Sequence, residues 1–342
     1  MMIGTKIYDL QRDLKGVFNE WRSLSFDTVF VSTSLYSNYK FRKLMKEKKM
    51  TVFIIFPVFY DPEALEKNPE LYSITNKGEK AVDEWVKFVC PTRDDYRKNK
   101  VEEMKKVVTE LNPDGLSLDF IRYFVFWEKI YPGRTLESIP NCCFCPYCIE
   151  KFQEDSKLAM PTEIMDNQRI VEFIQNNLSI EWTKWKCTNI SNFIKEITQE
   201  VRKLKPDILI NVHVLPWRQI DFDGAIEKIA GQDLKEIAKI VDFISPMCYS
   251  HMLKRKPSWI NAVVKNMYEL TKQKIVPSIQ VERSYLTTEI TTEEFSEMVV
   301  QAVKVPSSGV IFWSWEKIQD NPEKMEQIKT IINRKPQIND TI

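Results

Sequence analysis

The chain has 342 residues, of which 43% are hydrophobic and 28% are charged. This composition is typical of a folded globular chain with one large or two ordinary domains, and it excludes collagen, coiled coil and extended disorder. The 49 basic residues balance 48 acidic residues, so no net charge draws the protein to nucleic acid or to an anionic membrane. The apolar runs are shorter than the roughly 20 residues that span a bilayer. We therefore expect neither nucleic acid nor a membrane as a partner.

The N-terminal segment and the cysteines bear on the cellular compartment. The first ten residues lack the apolar core of a secretory signal. We expect a cytoplasmic protein, with a secreted or periplasmic mature form whose signal has been removed as the alternative. Four of the seven cysteines fall within positions 142–148. Disulfide frameworks do not use this spacing, which favours a metal site.

In chain order, the sequence repeats one unit: a β-branched or aromatic run, an amphipathic helix and a polar turn. The helices that end at Leu111 and Leu204 are each followed by proline and aspartate, at 113–114 and 206–207. Proline ends a helix because it disfavours helical backbone in the residue before it, and aspartate suits the turn. The eight predicted strands cover residues 5–10, 28–32, 51–59, 116–123, 208–214, 243–249, 275–281 and 310–315.

Eight strand and helix units predict an α/β fold, a (β/α)8 TIM barrel, which takes about 250 residues plus insertions. An open doubly wound sheet is the alternative, because hydrophobic periodicity does not separate closed from open sheets. The longest loops, 60–100 and 124–167, follow the third and fourth strands. No flexible linker divides the chain. We therefore expect one domain over residues 1–342, with a Cys-rich loop insertion at about 124–167.

The ends of the predicted strands carry polar, charged and aromatic side chains together, and in such barrels the active site lies at this face. Sugars need this mixture, because their hydroxyls take polar partners and their apolar faces pack on aromatic rings. We expect a carbohydrate substrate. The predicted substrate-binding residues are Arg122, Tyr123, Asn211, His213, Trp217, Tyr249, His251, Trp313, Trp315 and Glu316.

Glycoside hydrolysis uses two carboxyl groups on either side of the scissile bond. Asp119 and Glu282 form the leading catalytic pair, because strands four and seven can direct their side chains to one barrel mouth. Arg122 would favour the ionised form of one carboxyl group, and an apolar wall such as Trp313 would raise the pKa of the other. Three alternatives for the second carboxyl group are Glu128, Asp223 and Glu316.

The cysteine motif Cys-x-Cys-x-x-Cys at Cys143, Cys145 and Cys148 predicts a tetrahedral zinc site. A fourth ligand is required, and Cys90 in the other long loop is the first choice, with Cys142 as the alternative. Four cysteine ligands leave no open coordination position, so the zinc would be structural and would join two loops. We expect no organic cofactor.

The segment Asp114-Gly-Leu-Ser-Leu-Asp-Phe-Ile-Arg-Tyr123 resembles the fourth-strand signature of uncharacterised bacterial glycoside-hydrolase-like TIM-barrel families. The resemblance covers most of the chain from the second strand to the eighth, and it implies a glycosidase in which Asp119 is catalytic. The cysteine motif resembles the zinc cluster of family 42 β-galactosidases, which also takes a distant upstream cysteine, matched here by Cys90. Those enzymes use a glutamate acid/base on strand four, where this chain has Asp119, and a glutamate nucleophile on strand seven, where Glu282 fits.

The chain departs from family 18 chitinases, whose corresponding strand reads Asp-Gly-x-Asp-x-Asp-x-Glu. Ser117 stands in place of the middle aspartate and Ile121 in place of the acid glutamate, so chitinase chemistry of that type is not expected. The leading hypothesis is a glycoside hydrolase acting on an oligo- or polysaccharide. The alternatives are a non-catalytic glycan-binding protein on a degenerate barrel, and a lyase or intramolecular transferase on the same fold.

Overall fold

The structure is a computed structural model that describes residues 1–10, 12–158, 160 and 166–333. Eight parallel strands alternate with helices in a nearly closed (β/α)8 barrel, which confirms the predicted fold class. Nearly every residue of these strands is buried, as expected of parallel strands covered on both faces. The strands are β1 Met2–Ile7, β2 Thr28–Ser32, β3 Thr51–Pro57, β4 Gly115–Asp119, β5 Leu209–Val214, β6 Phe243–Pro246, β7 Ser278–Gln280 and β8 Gly309–Trp313.

Hydrogen bonds order the sheet as β6-β5-β4-β3-β2-β1-β8-β7. In the register, Gly4 of β1 faces Thr28 of β2 on one side and Ile311 of β8 on the other. A parallel bridge between Met247 and Ser278 joins the two ends of this order. A short antiparallel hairpin, Val82–Asp83 with Val86–Lys87, projects from the loop after β3.

The helices follow the strands in the order that the sequence predicts, and no described helix is long and apolar enough to cross a membrane. Short 3-10 helices occupy Pro69–Leu71, Trp127–Lys129, Leu136–Ser138 and Asp221–Asp223. The described α-helices are Leu14–Ser23, Thr33–Ser37, Tyr39–Glu47, Pro62–Lys67, Asp94–Leu111, Pro146–Ser156, Asn167–Asn177, Ser179–Leu204, Ala225–Lys228, Leu234–Ala238, Ser258–Thr271, Thr292–Val303, Trp315–Ile318 and Pro322–Asn333.

Several strands end earlier than the sequence predicts. Residues 116–123 were expected as strand, but β4 ends at Asp119 because Phe120 adopts a left-handed conformation with φ +52°. This conformation cannot continue a strand. β7 is limited to Ser278–Gln280 within the predicted 275–281. β1 begins at Met2, where the backbone N–H donates to the carbonyl oxygen of Ser308, three residues before the predicted start.

An aspartate immediately before β2, β4 and β6 fixes the strand that precedes it in the sequence. The backbone N–H of Asp114 donates to Val52 O at 3.0 Å, and the N–H of Val52 donates to Asp114 Oδ2 at 2.9 Å. The same reciprocal pair joins Asp27 to Ile3 and Asp242 to Ile210. These three aspartates, which we call the strand clamps, set the register of strand pairs at their N-terminal ends.

The contacts divide the chain into two compact units. The first comprises residues 1–55, 113–115 and 245–342, and includes β1, β2, β7 and β8. The second comprises residues 56–112 and 116–244, and includes β5, the loop after β3, the loop after β4 and the helix Ser179–Leu204. The expectation of one domain stays a prediction.

Candidate active site and cysteine cluster

Asp119 lies where the chain leaves β4 and is largely buried, with 8% of the residue exposed. Its backbone carbonyl oxygen accepts from the N–H of Val58 at 2.9 Å, which ties the end of β4 to the end of β3. One carboxylate oxygen accepts from the N–H of Phe120 at 2.8 Å. The left-handed turn at Phe120 therefore comes directly after the carboxylate and fixes its orientation.

Arg122 is fully buried and holds the loop that follows β4. Its guanidinium donates to the carbonyl oxygens of Tyr123 and Val125 at 3.2 and 3.1 Å, and it lies 4.8 Å from the ring centre of Phe88. Burial lowers its pKa to about 10, while the nearby carboxyl groups of Glu128 and Asp119 act in the opposite direction. The group is charged at neutral pH and supplies a buried positive charge beside two carboxyl groups.

Glu128 is the most strongly perturbed carboxyl group near Asp119. It lies on the 3-10 helix Trp127–Lys129, with 8% of the residue exposed. Its Oε2 atom is buried and has no hydrogen-bond partner among the described residues. Burial raises its pKa to about 7; Arg122 opposes this shift, and the negative charges of Asp119 and Asp83 add to it. Glu128 can therefore carry a proton near neutral pH, as a general acid must.

An aromatic cluster lies next to these groups: Tyr60, Trp85, Phe120 and Phe126. Tyr60 stacks on Phe120 with ring centres 5.0 Å apart. Trp85 packs edge-to-face with Tyr60, Phe120 and Phe126 at 5.5, 6.2 and 6.4 Å. Phe120 follows Asp119 directly in the chain, and its ring centre lies 5.6 Å from the guanidinium of Arg122.

The structure places the other candidate carboxylates in ion pairs or caps. Glu282 has a side chain 45% exposed and pairs with Lys317 at 2.7 Å. Glu316 accepts from the backbone N–H groups of Tyr8 and Asp9 at 2.6 and 3.1 Å, so one of its oxygens caps the loop after β1. Asp223 is exposed and pairs with Lys228 at 2.6 Å.

Several predicted substrate-binding residues are packed inside the protein. Asn211 accepts from the hydroxyl of Ser117 at 2.7 Å and donates to Phe243 O at 3.3 Å. The predicted substrate-binding residues that are fully or almost fully buried, and so present almost no surface to solvent, are Arg122, Tyr123, Asn211, His213, Trp217 and Trp315.

The faces of two predicted sugar platforms are occupied by other rings. Trp315 packs edge-to-face with Trp21 and Phe26 at 5.7 and 6.3 Å. Trp217 packs in the same way with Phe222 at 5.4 Å. Both rings therefore contribute to packing in the structure as it stands.

Trp313, Tyr249 and His251 lie in the first unit. Tyr249 stacks on Trp313 with ring centres 4.6 Å apart. His251 Nδ1 contacts the carboxylate of Glu294 at 3.0 Å, and Nε2 contacts Thr288 O at 2.9 Å. This histidine joins the segment after β7 to the helix Thr292–Val303. Trp313 and His251 are part-exposed, whereas Tyr249 is buried.

Four buried cysteines, Cys90, Cys143, Cys145 and Cys148, meet in what we call the cysteine cluster, and their ligand atoms all lie within 4.8 Å of one another. Cys90 Sγ is 3.7 Å from Cys145 Sγ and 3.3 Å from Cys148 Sγ. Tetrahedral zinc with Zn–S bonds of about 2.3 Å places its sulfur atoms about 3.8 Å apart. The spacing and chemistry of these donors can therefore hold a metal ion.

Neighbouring groups support the cysteine cluster. The N–H of Ile74 points to Cys143 Sγ at 3.3 Å, and Thr92 Oγ1 lies 2.9 Å from Cys148 Sγ. Hydrogen bonds from the neighbouring thiols lower the pKa of Cys145, which favours a thiolate, the form that binds metal. Cys142 lies outside the cluster, with its thiol 3.8 Å from Phe124 O. The fold thus brings Cys90, rather than Cys142, to the three-cysteine motif.

Lys186, on the helix Ser179–Leu204, anchors the start of the cysteine loop. Its buried ammonium donates to Asn141 Oδ1 at 2.8 Å and to the carbonyl oxygens of Lys228 and Ile229 at 3.0 Å each. Burial lowers its pKa to about 8. Three acceptors compensate for this burial, so the residue ties the loop to the helix.

No protein-family model and no curated protein sequence matches this chain. Its structure matches the glycoside hydrolase domain of PgaB (BpsB) from Bordetella bronchiseptica with a TM-score of 0.71 at 15% identity, over 98% of this chain and 99% of that one. The β-galactosidase from Bacillus circulans sp. alkalophilus gives 0.68 at 12% identity, over 96% and 55%. The chitinase from Chromobacterium violaceum gives 0.53 at 9% identity, over 98% and 100%.

These matched structures are glycoside hydrolases. At such identities the likeness shows the fold, and this chain has the barrel that these hydrolases share. A cavity of about 1050 Å³ in the second unit lies elsewhere, beside the helix Ser179–Leu204, and neither Asp119 nor Glu128 lines it. The candidate site is therefore defined by its carboxyl groups, Asp119 and Glu128, and not by a large cavity.

Sequence reasoning missed Tyr60 and Trp85, and it ranked Glu128 below Glu282. The sequence did contain a signal for the hairpin that carries Trp85. In the segment Val82-Asp-Glu-Trp-Val-Lys87, the two β-branched residues Val82 and Val86 flank the turn Glu84-Trp85. The burial of Glu128 had no local signal, because it comes from packing by residues distant in the sequence.

Proposed function

We propose that this protein is a glycoside hydrolase that cleaves an oligo- or polysaccharide, with Asp119 and Glu128 as its reacting carboxyl groups. The observation that carries the proposal is the buried Glu128 carboxyl group, whose pKa is raised to about 7 beside Asp119 and a buried arginine. Glycosidases need one protonated and one ionised carboxyl group. The glycoside hydrolase barrel supports the proposal at the level of the fold.

In this mechanism the protonated Glu128 donates its proton to the glycosidic oxygen as the bond to the leaving sugar breaks. Asp119 stabilises the positive charge that develops on the sugar ring, and acts as nucleophile or as base toward water. The charged Arg122 attracts the carboxylate of Asp119 and the negative charge left on Glu128 after proton transfer. Glu282, the partner that the sequence favoured, remains the alternative second carboxylate.

We further propose that Cys90, Cys143, Cys145 and Cys148 hold a zinc ion. With four thiolate ligands, zinc supplies a cross-link and no chemistry at the reacting carbohydrate. Neighbouring residues orient the thiolates. The N–H of Ile74 donates to Cys143, and the hydroxyl of Thr92 contacts Cys90 and Cys148. The cross-link fixes the loop after β3 to the loop after β4, which carries Glu128.

The test is hydrolysis of a panel of hexasaccharides: cellohexaose, chitohexaose, maltohexaose and β-1,4-galactohexaose. The wild type is compared with Asp119→Asn and with the matched control Asp223→Asn, an exposed aspartate paired with Lys228. Release of reducing sugar by the wild type and the control, with loss of at least about a hundredfold in Asp119→Asn, supports the proposal. Binding without hydrolysis favours the glycan-binding alternative, and equal activity in Asp119→Asn removes Asp119 from the mechanism.

A further inference from the structure

The hairpin in the loop after β3 places a tryptophan at its tip. Val82 pairs with Lys87 and Asp83 with Val86, so Glu84 and Trp85 form the two-residue turn. Glu84 has φ +48°, which a tight hairpin turn requires. Trp85 is 43% exposed, although tryptophan is usually well covered. A large aromatic ring at an exposed turn does not serve the core.

The ring of Trp85 is nevertheless held in one place. Its edge-to-face contacts with Tyr60, Phe120 and Phe126 fix it from the protein side. The turn itself is tied down as well, because the carboxylate of Glu84 forms an ion pair with the ammonium of Lys129. A ring that is rigid and part-exposed binds a ligand at low entropic cost.

The position of the hairpin relates it to the reacting groups. Lys129, the partner of Glu84, is the next residue after Glu128. Asp83 is close enough for its charge to act on the carboxyl group of Glu128. Phe120, which contacts Trp85, is the next residue after Asp119. The hairpin tip therefore contacts the residues that directly follow both proposed reacting carboxyl groups, within the second unit.

We propose that Trp85 is a sugar-binding platform that receives a pyranose ring next to the scissile bond, with the carboxylates of Asp83 and Glu84 accepting hydroxyl hydrogen bonds beside it. This inference rests on the proposed function, because it places the platform relative to Asp119 and Glu128. Pyranose rings offer an apolar face to an aromatic ring and hydroxyls to acidic side chains at its edge. A patch of exposed aromatic and acidic groups meets both needs.

The test is calorimetric binding of the four hexasaccharides in the Asp119→Asn background, in which binding is separated from cleavage. We compare the background with Trp85→Ala, with Trp85→Tyr, which keeps an aromatic ring, and with Tyr39→Ala, which removes a ring of the first unit that is 66% exposed. Thermal unfolding of each variant reports whether it is folded. We expect Trp85→Ala to weaken binding about fivefold, and Trp85→Tyr and Tyr39→Ala to stay within about twofold.

The outcomes separate this inference from the proposed function. Unchanged affinity in a folded Trp85→Ala variant, with hydrolysis by the wild type, overturns the platform and leaves the enzyme. Binding that depends on Trp85, without hydrolysis, keeps the platform and overturns the enzyme. Absence of both binding and hydrolysis for the whole panel overturns both.

Discussion

Glu128 illustrates how burial gives an ordinary side chain a new role. In water its carboxyl group would be ionised at neutral pH, but here burial outweighs the attraction of Arg122 and holds the pKa near 7. The uncompensated Oε2 atom is the structural sign of this cost. An unpaired buried polar atom is costly, because it has lost its hydrogen bonds to water and gained none in the protein.

We expect Glu128→Gln to lower kcat by at least about a hundredfold on substrates with unactivated sugar leaving groups. A dinitrophenyl glycoside of the cleaved sugar should lose far less activity, because its leaving group needs no proton. The wild type should also lose activity as the pH rises through about 7. Steady-state kinetics on both substrates across pH checks this, with exposed Glu137→Gln as the control. Equal losses on the two substrates would contradict the role of general acid.

The same shift makes a prediction for stability. Between pH 4.5 and about 7 the folded state binds more protons at Glu128 than the unfolded state does. The free energy of unfolding therefore falls as the pH rises through this range, by about 3 kcal/mol from this group alone. Glu128→Gln should remove this fall, so the variant gains stability relative to wild type between pH 5 and pH 8. Denaturant unfolding at both pH values measures it, and identical pH dependence in the two proteins would refute it.

At the level of elements, the barrel strands could be predicted from the sequence more fully than the two loops that carry the site. The strands could be predicted from their apolar runs, and most of them begin or end within a few residues of the expected positions. The three-cysteine motif could also be predicted, because its spacing is local. Cys90 was the first choice for the fourth ligand, and the structure brings it to the motif. Setting aside the alternative, Cys142, required the structure, in which Cys142 pairs with Thr75 and the N–H of Cys90 donates to Leu71 O.

We expect Cys145→Ser to lose bound zinc and to unfold at a lower temperature, because a structural metal contributes directly to folding. Cys142→Ser is the matched control, since it removes a buried thiol from the same loop but outside the cysteine cluster. Metal analysis of protein purified without chelator should give about one zinc per chain for wild type and for the control. A metal content that is equally low in all three proteins would refute the zinc site.

Across the molecule, the sequence could predict a barrel but not the location of its buried charges. Alternating helices and strands identify the fold because each unit is local in sequence. The burial of Trp217, Trp315 and His213, which were expected to face a substrate, is set by packing among distant segments. The burial of Glu128 and the exposure of the Trp85 ring could not be predicted from the sequence for the same reason. The sequence indicated roughly where each strand ends, but the direction in which each side chain points there required the structure.

The strand clamps give a prediction for the stability of the fold. Asp114→Ala removes the acceptor for the N–H of Val52, and we expect it to lower the free energy of unfolding by about 1–2 kcal/mol. Asp207→Ala, at the matching place in the second Leu-x-Pro-Asp turn, is the control because it carries no clamp. Denaturant unfolding of both variants measures the difference. If Asp207→Ala costs as much as Asp114→Ala, the turn and not the clamp accounts for the loss.

The strand clamps have a consequence for how such a barrel can diverge. Each clamp acts at the N-terminal end of its strands, whereas the proposed reacting groups follow the C-terminal ends. In β4, Asp114 precedes the first residue and Asp119 is the last. Register is thus secured without any contribution from the loops at the other end. Those loops can be lengthened, shortened or exchanged between homologous barrels while the strands stay aligned. Chimeras that graft the segment between β3 and β4 onto another barrel would carry the hairpin with them and leave the recipient sheet undisturbed.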